Sequence, residues 1–135
     1  YAEGGDLRFY LEKHFNELDF EKQLWFARSI AKGLAYLHSK QILHGDLHDK
    51  NIVISHGNAK IIDFGNSMHT NDQKNVTLFG HFPFVAPELI KDLNNIEYTY
   101  KSDIYSLGVI LWELTSGHEP FKYSKLSPQD LISKI

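Results

Sequence analysis

Residues 44–51 read His-Gly-Asp-Leu-His-Asp-Lys-Asn, and twelve positions past Asn51 stands a second short string, Asp63-Phe64-Gly65. Asp46 and Asn51 are five residues apart. Between Asn51 and Asp63 lie two β-rich runs, Ile52-Val53-Ile54 and Ala59-Lys60-Ile61-Ile62, separated by His56-Gly57-Asn58. Runs of that kind around a glycine-bearing turn predict a β-hairpin, which would carry Asp63 back toward Asn51. Two Asp and one Asn brought together are oxygen donors suited to a hard cation such as Mg²⁺. Phosphoryl transfer needs such a set, with metal to neutralise phosphate charge and a base at the acceptor hydroxyl. Taken singly, each residue equally suits a turn. It is the joint spacing that points to chemistry.

Outward from this stretch the chain reads mostly as helix. Tyr1 to Gly5 is a glycine-rich connector, and Leu7 to about Phe15 is predicted as a short helix with Leu7, Tyr10 and Leu11 on one face. Asp19 is placed to cap a helix from Phe20 to Ser39, whose buried stripe is expected at Leu24, Ala27, Ile30, Ala31, Leu34 and Leu37. Residues Asn66 to Phe84 show no sustained period and are expected as a long loop, a length usually tied to function or disorder. A brief helix is expected over Ala86 to Lys91. A longer one follows over Lys101 to Thr115, apolar nearly all round, with Ile104, Leu107, Gly108, Leu111 and Leu114 aligned and Gly117 as its stop. Ser127-Pro128 suits the start of a last helix.

Composition removes several function classes. The 135 residues, 42% hydrophobic, fit one compact domain or one lobe of a larger one. Fourteen Lys and Arg against seventeen Asp and Glu give a formal charge of −3 without a basic cluster, so the footprint of nucleic-acid binding is absent. The chain has no cysteine, which excludes disulfides, thiolate metal sites and Cys nucleophiles, and suits a cytoplasmic, intracellular location. The longest apolar run, Leu107 to Trp112, falls far short of the roughly 20 residues a membrane helix needs. The remaining histidines His14, His38, His56, His69 and His118 show no metal spacing and read as surface or packing residues.

The opening stretch resembles the catalytic loop of eukaryotic-type protein kinases, H-R-D-L-x-x-x-N, with Asp63-Phe64-Gly65 matching D-F-G and Ala86-Pro87-Glu88 matching A-P-E. Lys101 to Val109 resembles that family's central-helix signature, and Glu119-Pro120-Phe121 its usual sequel. The likeness runs over residues 1–135, from a hinge at Tyr1-Ala2-Glu3-Gly4-Gly5 to the start of a late helix. It implies an α+β, protein-kinase-like fold: a mostly helical C-terminal lobe with a short β-hairpin, the N-terminal β lobe missing. Small-molecule kinases of the aminoglycoside and choline phosphotransferase type share H-G-D-L-H-x-x-N and I-D-F-G, but should lack Ala86-Pro87-Glu88 and the signature from Asp103 to Trp112.

Carried over by position, the resemblance implies an ATP- and Mg²⁺-dependent transfer of the γ-phosphate to a Ser/Thr hydroxyl of a protein substrate, with Tyr left open. Asp46 would be the base, and Asn51 and Asp63 would hold Mg²⁺. The Ala2 backbone would bond the adenine, Asp6 would reach the ribose and Val53 would pack under the base. His44, Phe64, Gly65 and Glu88 would be structural or regulatory, and Asp103 would anchor the catalytic loop through backbone N–H groups.

Three departures qualify this picture. Gly45 replaces an Arg that pairs with a phosphorylated loop, so that switch is expected to be absent. His48 replaces the usual Lys and is itself a catalytic candidate, since a nearby phosphate would favour its imidazolium, and Lys50 is expected to supply the missing positive charge. His81 stands where Ser/Thr kinases carry Thr. Residues Leu107 to Leu114 look most similar to the tyrosine-kinase-like group. The glycine-rich loop, strand Lys and helix Glu of the family would precede Tyr1, and the Arg that pairs with Glu88 would follow Ile135. The chain is therefore read as a fragment that is not an efficient kinase alone. The alternative is a pseudokinase or signalling scaffold presenting the region from Tyr98 to Lys125 to partners.

Overall fold

The structure is a computed structural model, and it describes residues 2–73, 76–78, 80–121 and 130. Helix α1 (Leu7–His14) starts where the Asp6 carboxylate accepts the Phe9 N–H at 2.9 Å, and it passes into a 3₁₀ turn at Phe15–Glu17. Asp19 caps helix α2 (Phe20–Ser39) in the same way through the Lys22 N–H at 2.8 Å. The buried stripe of α2 differs from the expected one. Phe26, Ile30 and Leu34 form it, while Leu24 is 48% exposed and Ala31 also faces out. The ring of Phe26 sets the stripe by packing edge-on against Tyr10 of α1, with centroids 5.6 Å apart.

Strands β2 (Ile52–Ser55) and β3 (Asn58–Ile61) pair antiparallel with Ile52 opposite Ile61. His56 and Gly57 between them both take positive φ, the requirement of a two-residue type I′ turn. The hairpin lies on α2, where Trp25 Nε1 donates to Asn58 Oδ1 at 3.1 Å. Strand β1 (Ile42–Leu43) pairs with β4 (Met68–His69), so the stretch after Ser39 and part of the predicted long loop form a second, two-residue ladder. The rest of that loop is held by Gln73, whose side chain bonds both the N–H and the carbonyl of Tyr98. It then enters a 3₁₀ turn at Phe82–Phe84.

Helix α3 (Pro87–Lys91) is short, and α4 (Tyr100–Ser116) opens with a capping box between Thr99 and Ser102. Gly117 closes α4 at φ 72°, donating its N–H to Glu113. The inner face of α4 is not the expected apolar one. Ser102, Asp103, Ser106 and Glu113 are buried there beside Leu107, Ile110 and Leu114, while Ile104 is 52% exposed. One core joins α1, α2, the hairpin and α4 through Leu7, Leu11, Phe26, Ile30, Ile52 and Ile110. A second gathers Leu43, Val85, Ala86, Leu89, Ile90 and Tyr98. The last helix expected after Ser127-Pro128 lies outside the described residues.

Candidate active site

The two cores leave residues 44–51 spanning their junction, fixed by polar contacts. Asp103, buried on α4, accepts the N–H of His44 at 2.9 Å and that of Gly45 at 3.0 Å, one on each carboxylate oxygen. His38 of α2 adds a third contact to the same group at 2.8 Å, so it is a member of the site's support rather than a surface histidine. His44 is wholly buried. Its Nδ1 accepts the Asp46 N–H at 3.3 Å, which leaves Nε2 to donate to the Ile62 carbonyl at 3.1 Å.

Asn51 uses its side-chain NH₂ on the Asp46 carbonyl at 2.8 Å, and its own carbonyl accepts the Ile62 N–H at 2.9 Å. These bonds bring Asp46, Asn51 and the residue before Asp63 together, with the amide oxygen of Asn51 left as its free acceptor. Asp63 takes φ 61° and bonds the Gly65 N–H at 3.2 Å. Asp63 and Gly65 face solvent, and Phe64 is 51% exposed with its ring 5.6 Å from that of His44. Among the described residues no group of three His, Cys, Asp or Glu side chains is spaced to hold a metal.

At the hinge, Gly4 N–H donates to Ile54 and Ile54 N–H to Gly5, while Asp6 bridges to Val53. A Cβ at Gly4 would stand 2.7 Å from that of Ile54, so this approach requires glycine. Ala2, Asp6 and Val53 are thereby gathered on one edge. One Asp6 oxygen is already engaged in capping α1.

His48 is buried, and its Nδ1 accepts the Lys50 N–H at 3.2 Å, so Nε2 faces Asp46 Oδ1 at 3.6 Å. Burial pushes its pKa down to about 4 against the opposing pull of Asp46, so it carries no charge at neutral pH. The ring of His81 lies 4.3 Å from it. Lys50 is exposed on a 3₁₀ turn at Asp49–Asn51. Glu88 is exposed.

A family model described as "Protein kinase domain" matches residues 1–134. The chain belongs to the protein kinase family. It is similar to serine/threonine/tyrosine-protein kinase HT1 of Arabidopsis thaliana at 38% identity, over 90% of this chain and 31% of the relative. Serine/threonine-protein kinase TNNI3K of Mus musculus is 37% identical over 93% of the chain and 16% of its own length. For RAF proto-oncogene serine/threonine-protein kinase of Xenopus laevis the figures are 33%, 98% and 21%. The chain thus spans less than a third of each of these relatives. Relatives of the tyrosine-kinase-like type are among them, and the mixed helix and strand-pair architecture is that of a partial protein-kinase fold.

The kinase domain also carries a buried group that the sequence did not reveal. Arg8 of α1 donates to Glu113 Oε1 at 3.1 Å and to the Gly117 carbonyl at 3.1 Å, and Glu113 Oε2 is buried with no hydrogen-bond partner among the described residues. Burial first, and then Asp49, pushes Glu113 up to about 8; burial raises Asp49 as well. Arg8 therefore donates to a carboxyl whose burial favours the neutral form. No helix among the described residues is long and apolar enough to cross a membrane.

Proposed function

We propose that this domain belongs to an ATP- and Mg²⁺-dependent protein kinase that transfers the γ-phosphate to a Ser/Thr hydroxyl of a protein substrate, with Tyr as the competing acceptor. The observation that supports the reading is the pair of bonds that tie Asn51 to the Asp46 carbonyl and to the N–H of Ile62, the residue before Asp63. Asp46 accepts the acceptor's proton as the hydroxyl oxygen bonds phosphorus and the bond to the departing ADP oxygen breaks. Asn51, through its amide oxygen, and Asp63 would hold Mg²⁺, which supplies neutralisation of the phosphate charge. The Ala2 backbone, the Asp6 carboxylate and Val53 form the nucleotide edge. Lys50, not the uncharged His48, supplies positive charge beside the phosphates. The domain is residues 1–135 of that kinase's catalytic unit, and the absence of cysteine suits a cytoplasmic setting.

The second reading, a signalling scaffold with little phosphotransfer, is favoured by one observation: His48 is buried and neutral where the family carries a cation. Labelled ATP and Mg²⁺ with the whole protein that contains this domain, beside its Asp63→Asn variant, separate the two. Transfer that disappears in the variant supports the kinase. Absence of both transfer and ATP binding in the wild type supports the scaffold.

A further inference from the structure

Asp46 has two carboxylate oxygens in different settings. Oδ2 accepts the side-chain NH₂ of Asn66 at 3.1 Å. Oδ1 is buried and has no hydrogen-bond partner among the described residues, and His48 Nε2, at 3.6 Å, is too far to bond it well. On its other side lies Gly80, where a Cβ would come within 3.1 Å of Oδ1, so a side chain there would close the space in front of it. Asn66 is itself held firmly. A Cβ at Gly45 would stand 2.9 Å from the Asn66 carbonyl, Ser67 Oγ donates to the His44 carbonyl at 3.3 Å, and Met68 opens the ladder with Leu43.

We propose that Asn66 is a positioning residue for phosphoryl transfer, fixing the orientation of the Asp46 carboxylate through Oδ2. The inference rests on the reading of Asp46 as the base and extends it to a residue outside the motifs that marked the site. The amide can act only as a donor toward a carboxylate, so its orientation follows from the contact. Without it the carboxylate is free to turn about its last side-chain bond, and the fraction of time in which an oxygen meets the acceptor falls. The proton then passes from the acceptor hydroxyl to the Asp46 carboxylate as the hydroxyl oxygen bonds phosphorus and ADP departs. An effector such as a loop phosphate is not needed to hold this geometry, because the β1–β4 ladder already brings Asn66 into place.

The test is steady-state phosphoryl transfer by the whole protein with Asn66→Ala and Asn66→Asp, beside Asp46→Asn. Loss of a hydrogen bond to a charged group should lower kcat about tenfold in Asn66→Ala, with KM for ATP and the melting temperature unchanged. Asn66→Asp keeps the shape but sets like charges together, so it should fall further, on the order of a hundredfold. A space-filling role predicts the reverse order, and that order overturns the proposal, as does kcat within about twofold of wild type in both variants. In the Asp46→Asn background the Asn66→Ala change should add no further loss; an additive loss shows that Asn66 acts elsewhere and overturns it too. Equal transfer by Asp46→Asn and wild type, or none by wild type, instead overturns the underlying reading of Asp46, and the proposal falls with it.

Discussion

Arg8 and Glu113 lie 105 residues apart in the chain and 3.1 Å apart in space, with Glu113 fully buried. Because Glu113 keeps its proton to about pH 8 while an unfolded Glu releases it near 4.5, folding takes up a proton across that window. Stability from this site is complete below about pH 4.5 and is lost as pH rises toward 8. Glu113→Gln keeps the shape without the titration. The decline of melting temperature between about pH 5 and 8 should be shallower in this variant; parallel curves would show that the carboxyl is not the source.

His48 acts in the opposite sense. Its folded pKa of about 4 lies below the ordinary 6.5, so on acidification the unfolded chain takes the proton first. Stability is full above about pH 6.5 and falls as pH drops toward 4. His48→Gln should remove part of that acid loss in thermal unfolding scans, and an unchanged acid limb would assign it to other groups.

Asp103 satisfies two buried N–H groups and His38 at once. Asp103→Ala leaves them unpaired and should cost about 3 kcal/mol or more, read from denaturant unfolding. A loss below about 1 kcal/mol would mean that the loop finds other partners.

Gly4→Ala places a Cβ against Ile54. Overpacking of this kind costs about 1–3 kcal/mol, and because it parts the hinge from β2, ATP affinity measured by calorimetry should weaken with it. Unchanged affinity would separate the hinge from the nucleotide.

Lys50→Ala should lower kcat about tenfold or more if Lys50 supplies charge to the transferring phosphate. Turnover equal to wild type would end that assignment.

The features legible in the sequence were those with strong local signals. Asp19 before an apolar stripe marked the start of α2, Gly117 marked the end of α4, and β-branched runs around Gly57 marked the hairpin. The β1–β4 ladder was not legible, because two-residue strands carry no period. The stripe on α2 was misjudged because small Ala31 and exposed Leu24 fit a helical spacing as well as Phe26 does. Glu113 and Arg8 are 105 residues apart with no spacing that links them, and only packing shows them facing each other. Asn66 gave no signal beyond adjacency to Asp63-Phe64-Gly65. Its role depends on a side-chain direction that spacing does not encode.

The anchoring of His44 and Gly45 by Asp103 also bears on the order in which the molecule is made. The loop and its acceptor are 58 and 59 residues apart, so on a ribosome His44 and Gly45 emerge well before the helix that pairs them. Long-range closures of this kind slow folding. Helix α2 and the hairpin have nearby partners and can form early, whereas the catalytic loop must wait, its N–H groups hydrated, until α4 docks. Closure of residues 44 and 45 onto α4 would then be among the last steps of folding, and an arrested or prematurely ended chain would leave a folded hairpin with that loop unanchored.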